Sequence, residues 1–158
     1  MIDGQPTDRG VSIAITHVLT IAITTVLISG LLISAGALLE GERDRSADRS
    51  LETIGERLAG ELSKVDSMAA DDDANVNMTV SHPAKAASER YTVTLRPDCG
   101  DDAPLLEDGT SCLHLSTQSG NVDVYVPVTV DVGDESEVHG GAIEIVHEDG
   151  EIRLERGS

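Results

Sequence analysis

VSIAITHVLTIAITTVLISGLLISAGALL, residues 11–39, decides the fold of this chain. These 29 residues hold no Asp, Glu, Lys or Arg, in a sequence of which 25% of residues are charged. His17 is their only titratable side chain. Crossing a bilayer core takes about 20 helical residues, so the run must tilt, protrude or contain a cleavage point. In lipid the backbone polar groups have no water to bond. A single span must therefore be helical, despite the many β-branched residues that weaken helix in water. Gly30 and Gly36, with Ser29, Ser34 and Ala35, allow close approach of a neighbouring helix. Thr16, Thr20 and Thr24 share one face, where each bonds either a neighbour or its own i−4 carbonyl. A secretory signal peptide fits poorly, because its apolar region spans only about 7–15 residues before a small-residue cleavage site.

The helix is expected to continue past Leu39. Ala47, Leu51, Ile54, Leu58, Leu62, Val65 and Ala69 recur at steps of three and four, a one-sided apolar stripe. Charged residues fill the other faces, with Arg45–Asp48, Arg49–Glu52 and Arg57–Glu61 at favourable spacing and Glu52–Glu56 at unfavourable spacing. A helix from Val11 to Met68 would be ~85 Å long at 1.5 Å per residue. A juxtamembrane stalk or coiled coil would show the same stripe.

Asp71-Asp72-Asp73-Ala74-Asn75 ends the helix. Its D-x-D-x-N pattern opens like a calcium loop, but Val76 stands where Gly is needed and His82 where a bidentate Glu belongs. A solvated acidic turn is the reading. Beyond it the periodicity becomes two. Short alternating runs cover 76–80, 91–95, 113–115, 122–132, 143–145 and 152–154. Asp149-Gly150 is a hairpin turn, and Pro127 places its strand at an edge or a bulge. The expected fold class is α+β: a long N-terminal helix, transmembrane then amphipathic, followed by a small antiparallel β-sheet or β-sandwich head. The expected organisation is a leader at 1–10, the helix at 11–69 (hydrophobic 11–39, amphipathic 40–69) and the β-rich head at 70–158.

Net charge is −18, with 29 acidic residues against 11 Lys and Arg. That excludes nucleic acid as a natural partner, since phosphate needs a basic surface. Phe and Trp are absent and Tyr91 and Tyr125 are the only tyrosines. Such an acidic chain with a thin aliphatic core resembles a salt-adapted archaeal protein, in which salt screens carboxylate repulsion. Cys99 and Cys112 flank a loop between two expected strands. A disulfide there would contribute about 3 kcal/mol and would need an oxidising compartment; the alternative is two free buried thiols. Asn77-Met78-Thr79 is a sequon, making Asn77 a candidate for N-glycosylation. No phosphate loop, H-E-x-x-H motif or nucleophile elbow is present. His82, His114, His139 and His147 lack ligand spacing and read as solvated surface. The expectation is no enzyme, no catalytic residue, no metal and no cofactor.

The segment Asp8-Arg9-Gly10-Val11-Ser12, running straight into the apolar helix, resembles the class III signal peptide of archaeal type IV pilins and archaellins. In that family a prepilin peptidase cuts after a small residue that follows a basic one, and the apolar stretch becomes the filament's core helix. The resemblance covers about the first 40 residues. It implies cleavage at Gly10–Val11, with Arg9 as the basic residue. Implied partners are the membrane, the peptidase, and self or other pilin-like subunits through residues 11–39. The implied location is the cell membrane or a surface filament, with the head outside. Asp3 and Asp8 make the leader less basic than is typical. Ile13 stands where many salt-adapted archaeal pilins have Pro, and Ile15 where bacterial pilins have Glu. These departures imply a minor or divergent member. The alternatives are a single-pass membrane-anchored extracellular protein with a small β-rich binding domain, or a pseudopilin-like part of a secretion machine. Arg43, Arg45, Arg49 and Arg57 follow the run while only Arg9 precedes it, so counting Lys and Arg alone would put the C-terminus in the cytoplasm. The processing motif and the cysteine pair point the other way.

Overall fold

The computed structural model describes residues 7–70 and 75–158, with side chains from residue 13 onward. The chain is α+β. One helix, α1 (Thr7–Ala70), is followed by seven strands in two small antiparallel sheets. Two compact units are formed, residues 1–42 and 43–158.

In the first unit every described residue is helical. The large apolar side chains from Ile13 to Leu39 are each more than half exposed. Thr20 and Thr24 donate to the carbonyls of Thr16 and Thr20, at 2.8 and 2.7 Å, so their hydroxyls are satisfied within the helix. Thr25 and Ser29 do likewise. The surface this leaves is almost purely hydrocarbon.

The second unit is built around the remainder of α1. Ala47, Leu51, Ile54, Leu58, Leu62, Val65 and Ala69 are all buried, as their spacing predicts. The first sheet has the order β1-β6-β7, from β1 (Val76–Ser81), β6 (Ala142–Glu148) and β7 (Glu151–Arg156). The second has the order β4-β3-β2-β5, from β4 (Asp123–Pro127), β3 (Cys112–Thr117), β2 (Tyr91–Arg96) and β5 (Ser136–His139). Alternation decides which side chains face inward. Val93 and Leu95 of β2, Leu113 and Leu115 of β3, Ile143 and Ile145 of β6, and Ile152 and Leu154 of β7 join the helical stripe in one core. β7 is tied to the second sheet where Leu154 N–H donates to Ser136 Oγ of β5 (3.0 Å), and to the segment ahead of β5 where Ile152 N–H donates to the Asp131 carbonyl (2.9 Å).

Two glycines matter for this packing. A Cβ on Gly55 would lie 2.7 Å from Val126 Cγ2 and 3.0 Å from Leu115 Cδ1, so glycine lets the helix lie directly against β3 and β4. Asp149 and Gly150 both have positive φ (55° and 87°), the requirement of a two-residue hairpin turn matching the twist of β6 and β7.

The long alternating run at 122–132 is not one strand. β4 stops at Pro127, and Val132 makes only an isolated parallel bridge to Ile152. β5 was not expected, because Ser136-Glu137-Val138-His139 holds one apolar residue; its pairing with β2 makes it a strand. His82 corrects the expectation of solvated histidines. It is 5% exposed, and its Nε2 lies 2.8 Å from Glu61 Oε2 on α1. Glu61 is thereby joined to His82 and not to Arg57.

Tyr91 is the largest fully buried side chain, and its hydroxyl donates to the Pro83 carbonyl at 2.7 Å. Burial pushes its pKa from 10.0 up to about 12. A raised folded-state value means that its stabilisation is fully present below pH 10 and is lost as pH rises through about 12. Tyr91 is therefore expected to ionise after Tyr125 in a phenolate absorbance titration, together with loss of the folded circular dichroism signal. Ionisation of both tyrosines in a fully folded head would contradict the burial described.

Candidate functional site

The candidate cleavage residues Arg9, Gly10 and Val11 lie within the first two turns of α1, which starts at Thr7. Their side chains are outside the described ones. So are residues 71–74, on which the three Asp of the calcium-like pattern fall. Beyond the cleavage residues, α1 is long and apolar enough to cross a membrane. Exposing fourteen large aliphatic side chains to water would cost on the order of 20 kcal/mol or more. Lipid or protein packed around this surface would remove that cost.

In the head, Cys99 and Cys112 are joined as a disulfide with a Cα–Cα distance of 6.0 Å. The bond closes the loop between β2 and β3 onto the first residue of β3. The loop is ordered by more than the bridge. Ala103 N–H donates to the Cys99 carbonyl at 2.9 Å and Cys99 N–H to the Thr110 carbonyl at 3.1 Å. Asp98 Oδ1 accepts from the amides of Gly100 (2.9 Å) and Gly109 (3.0 Å). These donors favour the ionised carboxylate and hold Asp98 below its ordinary value of 3.8, with Arg96 adding a smaller attraction. A lowered folded-state value stabilises the loop at neutral pH, and that support is lost as pH falls below 3.8 through the depressed value. Arg96 forks between Asp102 of the loop and Glu135 ahead of β5, so one guanidinium ties the loop to the end of β2 and to the segment entering β5.

The outer face of the four-stranded sheet carries the second tyrosine. Tyr125 stacks on His114 across the β3–β4 ladder, with ring centroids 4.5 Å apart and planes 9° apart. His114 Nε2 lies 2.9 Å from Asp123 Oδ1. The pKa of Tyr125 is raised by partial burial, then by the charges of Asp102 and Asp123.

Asn77 lies on β1, an edge strand of its sheet, and both Asn77 and Thr79 face outward and are exposed. The sequon is accessible on the described surface. His139 is exposed, while His147 is half-buried beside a shallow depression lined by Asp66, Asn75 and Asp149. Among the described residues, no group of three or more His, Cys, Asp or Glu side chains is placed to hold a metal ion.

Sequence reasoning missed the Tyr125–His114 stack and the Asp98 cap. The cap had a local signal, an Asp ahead of a Gly-containing loop, but the stack depends on strand register. No curated protein matches the chain, and no solved structure does. A family profile matches residues 6–155, which spans the apolar helix and nearly all of the head. The chain belongs to that family, described as a family of unknown function (DUF7266).

Proposed function

We propose that this protein is a pilin-like structural subunit, a minor one, of an archaeal type IV pilus or related surface filament. The observation that carries the proposal is the continuous helix whose apolar part, beginning at the candidate cleavage residues, exposes hydrocarbon on every face. A prepilin peptidase would cut Gly10–Val11. Helix ends fray, and glycine weakens its own turn by about 1 kcal/mol relative to Ala, so the bond is accessible to a protease at little cost. Residues 11–39 would then leave the bilayer and pack among related helices, exchanging lipid contacts for side-chain contacts of similar energy. Gly30 and Gly36 meet nothing within 4 Å of an added Cβ, leaving room for a neighbouring backbone. The Cys99–Cys112 bridge supports an extracytoplasmic head.

A second reading is a single-pass anchored protein with a small binding head that never polymerises. The four arginines after the apolar run favour it in the orientation with the head inside the cell. Electron microscopy of sheared surface material, labelled with antibody to the head, separates the two. Labelled filaments are expected. Retention of all the protein in the membrane fraction, with no labelled filament, would overturn assembly.

A further inference from the structure

We propose that the free edge of β4 receives an extended peptide segment carrying basic side chains at alternate positions, added as a further strand. Among the described strands, β4 pairs with β3 alone and ends its sheet. Val128 N–H donates to the Ser111 carbonyl at 2.9 Å, and the Val122 carbonyl accepts from Thr117 N–H at 3.0 Å. Because an antiparallel strand alternates every second residue, even-numbered positions of β4 bond to β3 and odd-numbered ones point outward. The edge therefore offers the N–H and C=O of Asp123 and Tyr125 and the C=O of Pro127. Pro127 lacks an N–H at a position where β3 requires none.

Beside this edge runs a groove of about 360 Å³, lined on its other wall by Asp48, Glu52 and Glu56 of α1. Their i, i+4, i+8 spacing sets three carboxylates in a row, all exposed and none in an ion pair among the described residues. Asp123 adds a fourth negative charge at the edge itself. Tyr125 also lines the groove, from the strand side. Main-chain bonds to a strand edge supply affinity without sequence preference, and alternate side chains supply the choice of partner. Here that choice is cationic. A second copy of this chain is a poor occupant, since its net charge of −18 opposes the same carboxylates. The inference stands whether or not the protein polymerises.

The probe is a fluorescent hexapeptide, Arg-Val-Arg-Val-Arg-Val, titrated against the full chain in detergent micelles. Saturable binding that weakens with salt is expected, together with hydrogen-exchange protection of the Asp123 and Tyr125 amides. Asp48→Asn, Glu52→Gln and Glu56→Gln combined should weaken binding by about tenfold, the sum of three exposed charge contacts. N-methylating alternate peptide amides should abolish it while leaving the protein unaltered. Absence of saturable binding, or equal binding by the N-methylated peptide, would overturn the proposal. So would self-association of the triple variant through the same two amides without peptide binding by the wild type. That outcome would mean the carboxylates only keep copies apart.

Discussion

Leu58→Ala is expected to destabilise the head by about 3 kcal/mol, within the usual range for a truncated core leucine. Leu58 is fully buried at the middle of the helical stripe, with Ile54 and Leu62 on neighbouring turns and strands of both sheets in the same core. The loss has two parts, the hydrophobic transfer of the deleted atoms and the cavity they leave. The cavity is held open on one side by the helix backbone and on the other by hydrogen-bonded strands, so little collapse can offset it. For a unit of this size the melting temperature should fall by ~10–20 °C. Met68→Ala on the same helix is the control, because Met68 is 56% exposed and surface changes usually stay within about 0.5 kcal/mol. Thermal unfolding of the full chain in detergent, followed by circular dichroism, reads the difference. Equal effects of the two substitutions would mean that the amphipathic half of α1 does not build the core.

Much of this architecture was legible in the sequence because it rests on local periodicity. The stripe from Ala47 to Ala69 is buried residue for residue, since a helix face is set by spacing alone. Asp149-Gly150 turns as expected because the backbone there must reach positive φ, and few residue pairs do so cheaply. Pro127 lies on an edge strand for the reason its missing N–H requires. What was not legible depends on partners distant in sequence. β5 has one apolar residue and exists through its pairing with β2. His82 is buried because Glu61, 21 residues away, is brought to its Nε2. The stack of Tyr125 on His114 follows from the register of β3 and β4, which no single strand encodes.

The candidate site divides in the same way. The apolar run and the cysteine pair could be read directly, the first from the absence of charge and the second from spacing between expected strands. The cleavage residues rest on a short motif, which is why they carry the decisive experiment. Gly10 matters there for its size. A peptidase that accepts a small residue before the scissile bond would reject a branched one, so Gly10→Val should leave the leader attached and prevent the helix from assembling. A helix retaining a polar leader with Asp3 and Asp8 would have to bury those charges among its neighbours, at about 2.5–3.5 kcal/mol each if they reached the apolar centre. Processing is therefore expected to act as an all-or-none gate on assembly.

The most direct measurement is intact mass spectrometry of the protein extracted from membranes of cells with an active prepilin peptidase. A chain beginning at Val11 is the predicted result, with Gly10→Val retaining residues 1–10. An unprocessed N-terminus on the wild-type chain in those same cells would contradict the account.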